Sequence, residues 1–346
     1  MSKTAIIVLA LLLAGGAQAA PRGETEGLRE VKAFTLENAA QLVAGSKRLR
    51  DAVADYAAII EANSDDYEAA WSADGAKLAE AVTRIRTTWL AASDSYENIE
   101  GIVAGVPSLV KYDLILDAGN PAGAEADVAP YDLGLPDGTV LQRPGSLFHT
   151  ITEPLYWGGD TGNARAEVDL DGDGTIEPGE VLFETNLALG AAEGLVKWSG
   201  KLAADIEAWQ PSRDDAFTAV VTMTPTVGDY FGEWKESQFL GGDEAAFVAR
   251  SRLVDVIDIM SGCERMYRAA VAPVVKSDDP ALDASISSGF EELLALVRET
   301  RAREESGARF SPEEADALGA DAQDIAERIV AQVLQAAARS GVDIRG

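Results

Sequence analysis

The segment LAEAVTRIRTTWLAASDSYENIE, residues 78–100, decides the fold class, because its large apolar side chains recur at helical spacing. Intervals of 4, 3, 4 and 7 residues give one helix face to Leu78, Val82, Ile85, Trp89 and Tyr96. An earlier segment repeats the pattern with Leu42, Leu49, Val53, Tyr56 and Ile60. We therefore expect an all-α protein in which long amphipathic helices pack into bundles.

The rest of the chain continues this pattern on the far side of a long connection. Residues 117–145 are rich in Gly, Pro, Ala and Asp and have no period, and no stretch of the chain alternates like a strand. The chain is thus predicted to form two helical-bundle halves, residues 20–116 and 184–346, joined by a connection over residues 117–183. Helices are predicted in the second half over residues 184–209, 213–240, 244–275, 280–304 and 311–339.

The composition restricts the classes of function. The 346 residues include 58 Asp and Glu against 29 Lys and Arg, so the formal net charge is −29. Such a chain repels phosphate backbones, which excludes nucleic acid as a partner and suits a protein that handles cations. Cys263 is the single cysteine and His149 the single histidine. A disulfide framework and a thiolate zinc site are therefore excluded, and any histidine ligand or base is His149.

The N-terminus predicts export. Lys3 precedes an apolar run over residues 5–14, and Ala17-Gln18-Ala19 follows, which is typical of a secretory signal peptide over residues 1–19. This run is too short to span a bilayer, and no other stretch approaches membrane length. We expect a soluble, periplasmic protein that is not embedded in the membrane.

Residues 169–180, DLDGDGTIEPGE, match the EF-hand calcium loop. The predicted oxygen ligands, at positions 1, 3, 5, 7, 9 and 12, are Asp169, Asp171, Asp173, Thr175, Glu177 and Glu180. Gly174 permits the sharp turn, and Ile176 is expected to insert into the core. The flanking residues favour helices poorly, so we expect one calcium ion that stabilises the connection. The alternative is an acidic surface turn.

Several carboxylates occupy apolar helix faces. The stripe through Trp89 continues to Glu100, with Glu97 at its fringe, while Asp255 and Asp258 interrupt the apolar run over residues 253–260. Buried carboxylates are costly unless they are paired or bound to a metal. Metal binding is one interpretation. Ion pairing is the other, with Arg250, Arg252 or Arg265 as partners.

His149 and Glu153 form the third feature of this kind. They are four residues apart, so a helix would bring them to the same face. Helical bundles build metal sites from a histidine and carboxylates that converge from different helices. A structural histidine remains the alternative.

These motifs resemble those of the imelysin-like family, exported bacterial proteins that include an insulin-cleaving metallopeptidase and the EfeO-type component of iron uptake. Residues 96–100, YENIE, are similar to the family's Tyr-Glu-x-Ile-Glu helix end, and residues 148–158 to its Gly-x-His-x-x-Glu segment with the aromatic tail after it. Asp255 before Gly262 and the run over residues 267–301 also resemble the family. The resemblance implies an imelysin-like helical fold. The metal ligands that it implies are Glu100, His149, Glu153 and Asp255, with Glu97 in reserve.

The sequence departs from the family pattern beside the histidine. Leu147 replaces the glycine of Gly-x-His, and three residues rather than two separate His149 from Glu153, which Pro154 follows. A π-bulge would absorb the extra residue. Alternatively, the site has degenerated. The calcium loop is an insertion that the resemblance does not explain.

Three functions follow from these observations. The first is a periplasmic metal binder for iron or a similar divalent metal, acting in uptake or delivery. Its partners would be metal ions and an inner-membrane iron permease or other exported proteins, and calcium would fill the separate loop. The second is a metallopeptidase with zinc on His149 and Glu153 as the base; it ranks lower because no His-Glu-x-x-His helix is present. The third is a calcium-stabilised interaction module.

Overall fold

Two long helices begin the computed structural model, which describes residues 22–242 and 246–345. They are α1, Arg22–Ala62, and α2, Tyr67–Val103, and they pack against each other along their length. The apolar stripes predicted for both helices are buried. The all-α fold class is therefore confirmed, while the predicted signal peptide lies outside the described residues.

The connection after α2 contains short strands that the sequence analysis did not predict. The first helix there is α3, Lys111–Leu116. Two antiparallel hairpins follow, each with strands of three or four residues, which is too short for alternation to be visible in the sequence. They consist of β1, Asp132–Gly134, with β2, Val140–Gln142, and of β3, Ala164–Glu167, with β4, Val181–Phe183.

The second half of the described chain is again helical. The predicted segment over residues 213–240 is interrupted by a 3₁₀ turn at Thr224–Thr226, which contains Pro225, and the segment predicted to begin at residue 244 begins at Arg252. The remaining predicted segments agree with the helices to within a few residues. These helices are α5, Thr185–Ala208, α6, Arg213–Met223, α7, Val227–Glu236, α8, Arg252–Met266, α9, Ala272–Asp278, α10, Pro280–Glu305, and α11, Pro312–Ser340.

The helices pack around one continuous apolar core. Helix α5 packs against α1, and α2 crosses to α8, which in turn contacts α7 and α10. Helix α11 lies against α7 and α10. None of the described helices combines the length and the apolar character needed to cross a membrane.

The crossing of α2 and α8 positions the candidate site. A Cβ atom on Gly101 would lie 2.5 Å from the Ile259 carbonyl oxygen and 2.8 Å from the Cys263 Sγ atom. Only glycine therefore allows α2 and α8 to approach this closely. The approach brings the C-terminal end of α2, with its buried Glu97 and Glu100, beside the start of α8.

Candidate metal centre

His149 lies in a π-helical turn, Leu147–Thr152, that runs directly into helix α4, Glu153–Tyr156. The amide of Glu153 donates to a carbonyl oxygen five residues back, which is the π-helical pattern. The Thr152 hydroxyl fixes the turn, since it donates to the Leu147 carbonyl oxygen at 2.7 Å and accepts from Nε1 of Trp89 at 2.7 Å. The extra residue between His149 and Glu153 is thus absorbed in a π-turn, as hypothesised from the spacing.

Glu153 orients the imidazole ring from one side. Its Oε2 lies 2.7 Å from Nδ1 of His149, and its carboxylate also accepts from the backbone amides of Phe247 at 2.9 Å and Ala249 at 2.8 Å. The Phe247 ring lies over the imidazole, with the ring centroids 4.6 Å apart. A carboxylate on one ring nitrogen fixes the tautomer and leaves the other nitrogen for a metal.

The other ring nitrogen faces two buried carboxylates. Nε2 of His149 is 3.1 Å from Oδ1 of Asp117 and 3.6 Å from Oε1 of Glu97. Nε2 of His149 and Oδ1 of Asp117 are close enough for an ion pair, but they are not aligned for a hydrogen bond. One ligand atom from each of these three residues lies within 4.8 Å of the others. Imidazole nitrogen with carboxylate oxygens is a donor set that iron, zinc and manganese accept.

Among the residues that the structure describes, four buried side-chain atoms at this place have no hydrogen-bond partner. They are Nε2 of His149, Oδ1 of Asp117, Oε2 of Glu97 and Oε2 of Glu100. Buried polar atoms in folded proteins are nearly always paired, and an orphaned group costs about 1–3 kcal/mol. Such a concentration of orphaned donor atoms fits a group that binds there.

The carboxyl groups of α2 and α3 retain protons unusually strongly. Burial raises the pKa of Glu97 to about 8, and the charges of Asp117 and Asp255 add to the rise. Burial and the neighbouring Asp117 likewise raise the pKa of Asp113 to about 7 and that of Glu100 well above its ordinary range. Protons therefore neutralise these groups when no cation does.

Asp117 and His149 form the charged pair of the centre. Burial opposes ionisation of both groups. Nevertheless, His149 and Arg252 hold the pKa of Asp117 below its usual value. Conversely, Asp117 and Glu153 raise the pKa of His149 well above its ordinary range. A metal at Nε2 would take the place of the imidazolium proton beside Asp117.

Two arginines engage Asp255. Its Oδ1 lies 2.5 Å from Nη2 of Arg250, and its Oδ2 lies 3.2 Å from Nη1 of Arg252. Arg252 is buried, pairs also with Glu233 at 2.7 Å, and lies 3.8 Å from Oε2 of Glu97. Both oxygens of Asp255 therefore have cationic partners, in the arrangement that the ion-pairing interpretation described.

A cleft of about 440 Å³ leads to the centre. The residues that line it include His149, Asp117, Phe247, Tyr230 and Arg252. An ion or a small ligand therefore has a route to the carboxylate side of the imidazole.

The structure brings some of the nominated residues together and separates others. Glu97, named in reserve, lies with His149, while Glu100 is close by on the same helix face. Glu153 lies on the Nδ1 side of the ring, whereas Asp255 forms ion pairs with Arg250 and Arg252. Whether each of them binds a metal stays a prediction.

Asp113 and Asp117 were missed in the sequence. They are four residues apart on either side of Leu-Ile-Leu, so the argument that identified Asp255 and Asp258 would have found them. The segment was instead assigned to the end of the first bundle and the start of an aperiodic connection. Its burial arises from contacts of α3 with α2 and with the π-turn.

The loop over residues 169–180 connects β3 to β4 and is folded by its own carboxylates. Asp169 accepts from the amides of Gly172 at 2.7 Å and Gly174 at 2.9 Å. Glu180 accepts from three amides of the loop at 2.9–3.2 Å. The ligand oxygens lie within 4.8 Å of one another in two overlapping groups: Asp169, Asp171 and Glu180, and Asp171, Asp173 and Glu177.

Strands rather than helices flank this loop. The predicted insertion of Ile176 into the core was wrong, because Ile176 is 52% exposed. No helix follows the loop to cover that side chain: β4 begins at Val181. The arrangement is therefore a hairpin with an acidic tip, and the calcium assignment stays a prediction.

A comparison with protein families assigns most of the chain to one family. The family model described as Imelysin matches residues 35–333, which contain every residue of the centre and the acidic loop. No curated protein matches the chain. Since the family model covers well over half of the sequence, the chain belongs to the imelysin family.

Proposed function

We propose that this protein is an exported binder of a divalent transition metal, iron above all, that acts in uptake or delivery without turnover. The ligands are Nε2 of His149 and carboxylate oxygens of Glu97 and Asp117. The observation that carries the proposal is the set of orphaned, buried donor atoms on these side chains. A cation would satisfy all of them at once, which no hydrogen-bond donor in the described centre does.

The charges of the centre support a cation. Glu97, Glu100 and Asp117 are buried beside one another, with Arg252 and His149 as the nearby positive groups. A divalent ion would release the protons held by the carboxyl groups and compensate their charge. One imidazole among carboxylates suits Fe²⁺, Mn²⁺ and Zn²⁺, and geometry and availability select among these metals.

A carrier fits better than a peptidase. A zinc peptidase needs a carboxylate that is free to act as a base towards metal-bound water. Glu153, the nominated base, lies on the Nδ1 side of the ring, where His149 and two backbone amides engage three of its four acceptor sites. We assign Glu153 the task of orienting the imidazole.

We further propose that the 169–180 loop binds calcium and stabilises the β3–β4 hairpin. The clustered oxygens of Asp169, Asp171 and Glu180 support this assignment. Weak binding suffices outside the cytoplasm, where extracellular calcium modules work at about 0.1–1 mM. The signal-like sequence of residues 1–19 supports such a location.

Elemental analysis tests both assignments. The purified protein is equilibrated with iron, zinc, manganese and calcium, desalted and analysed beside the variants His149→Ala and Asp173→Ala. We expect His149→Ala to retain less transition metal than the wild type and to keep calcium, and Asp173→Ala to lose calcium and keep the transition metal. Each variant is thus the matched control for the other.

Two results would reject parts of this proposal. Retention of the transition metal by His149→Ala at the wild-type level would reject the assigned centre. Retention of calcium alone by the wild-type protein would favour the interaction module. Digestion of insulin or casein by the metal-loaded protein, abolished in His149→Ala, would establish the peptidase instead.

A further inference from the structure

A second group of carboxylates adjoins the first. Ligand oxygens of Glu100, Asp113 and Asp117 lie within 4.8 Å of one another, and all three residues are buried. Asp117 belongs both to this group and to the group with Glu97 and His149. The two groups therefore meet at the Asp117 carboxylate.

Two tyrosines arrange the second group. The Tyr230 hydroxyl donates to Oε1 of Glu100 at 2.8 Å, and the Tyr96 hydroxyl donates to Oδ1 of Asp113 at 2.8 Å. Each tyrosine thus engages one oxygen of its carboxylate. The second oxygen of Glu100, Oε2, is buried and has no hydrogen-bond partner within the described part of the chain. This orphaned atom is independent of the acidic clustering and indicates a missing positive partner.

Resident cations do not supply that partner. Within the described residues, no ion pair reaches Glu100 or Asp113, and the ion pair of Asp117 is with His149. The nearest arginine, Arg252, is directed to Glu233 and Asp255. Ionised carboxylates buried without cationic partners are strongly unfavourable.

We propose that Glu100, Asp113 and Asp117 form a second cation position beside the first, with Asp117 bridging the two. Its donors are all oxygens, so it takes a hard divalent cation such as Mn²⁺, while the imidazole-containing position accepts softer metals as well. The inference rests on the proposed function, because Asp117 bridges only if the first position also binds a metal. Tyr96 and Tyr230 are positioning residues for this second cation.

Titration with Mn²⁺ tests the second position. An Asp173→Ala background removes the contribution of the acidic loop, and bound Mn²⁺ is counted and examined by electron paramagnetic resonance. We expect two equivalents in this background. Their spectrum should be broadened by coupling through the shared carboxylate.

The decisive variant in this background is Asp113→Asn, which is isosteric and can still accept from Tyr96. It should bind one equivalent and recover the resolved hyperfine pattern of an isolated Mn²⁺ ion. Glu100→Gln, which can still accept from Tyr230, is the second variant and should behave alike. The matched control is Asp205→Asn, because Asp205 also accepts from a tyrosine, Tyr112, at 2.6 Å but lies outside the centre. This control should keep two equivalents.

The outcomes separate the two proposals. One equivalent in the background protein, lost in His149→Ala and kept in Asp113→Asn, would overturn the second position and leave the proposed function standing. Two equivalents kept in both Asp113→Asn and Glu100→Gln would also overturn it. No bound metal in the background protein would overturn both proposals.

Discussion

Substitution of Glu97 by glutamine should stabilise the metal-free protein in a pH-dependent way. The pKa of this carboxyl rises from an ordinary value of 4.5 to about 8 on burial. A group with a raised folded-state pKa contributes stability that is fully present below the unfolded pKa and is lost as pH rises through the folded pKa. The metal-free protein therefore loses stability from about pH 4.5 towards pH 8, whereas the glutamine in Glu97→Gln does not titrate.

The expected magnitude follows from linkage. Each pH unit in this window costs about 1.4 kcal/mol per proton held only by the folded state, so two units between pH 5 and pH 7 cost at most about 3 kcal/mol. The free energy of unfolding of Glu97→Gln, relative to wild type, should rise by up to this amount over the same interval. A constant offset from the new amide cancels in the comparison.

Urea unfolding in excess chelator measures this difference, with tryptophan fluorescence as the probe. Glu125→Gln, at an exposed glutamate, is the control, and its free energy of unfolding should change with pH as that of the wild type does. A Glu97→Gln difference that stays constant within about 0.5 kcal/mol, or that falls as pH rises, would refute the reasoning. The same variant should also bind the transition metal more weakly, since it lacks one proposed ligand.

The remaining predictions concern the metal, the cleft and the hairpin. Metal affinity should rise with pH up to about 8, because the ion displaces protons from the carboxyl groups of Asp113 and Glu97, whose pKa values are about 7 and about 8. Calorimetry in buffers of different ionisation enthalpy should detect the released protons, and an affinity that does not change with pH would contradict the prediction. Phe247→Ala should speed the release of metal to a chelator several-fold without changing the number of ions bound, because the Phe247 ring covers His149. Stopped-flow mixing measures the release rate, and an unchanged rate would contradict the prediction. Tyr56→Phe should lower the free energy of unfolding by about 1–3 kcal/mol, because the Tyr56 hydroxyl donates to the carbonyl oxygen of Phe183 in β4 and accepts from its amide. Urea titration measures this loss, and a loss below about 0.5 kcal/mol would contradict the prediction.

The sequence predicts the helices well because their signal is local. The stripes of α1 and α2 repeat every three or four residues, and these residues are buried as predicted. Where the signal is not local, the predictions fail. The strands β1 to β4 are short hairpin arms, and their formation depends on the helices that they contact, such as the contact of Tyr56 with the backbone of Phe183.

The residues of the candidate centre differ in the same respect, since some of them have a local signal in the sequence and others do not. Glu97, Glu100 and His149 were nominated because α2 and the histidine turn have a readable inward face. Asp117 directly follows the six-residue helix α3, and the apolar residues before it could have indicated that it is buried but not which residues it contacts. Its place beside His149 depends on how the connection folds back onto α2, and a single sequence contains no local signal for that contact.

The π-turn explains how an altered motif can still serve a metal centre. The π-turn leaves Glu153 bonded to Nδ1 of His149 and to the amides of Phe247 and Ala249, which precede α8. The ring is then held from one side, and its other nitrogen faces Glu97 and Asp117. In the proposed centre, Glu153 would orient the ring, and the carboxylate of Asp117, directly after α3, would join that of Glu97 as a donor. The π-turn thus leaves Nε2 of His149 facing two buried carboxylates, a donor set that suits a cation.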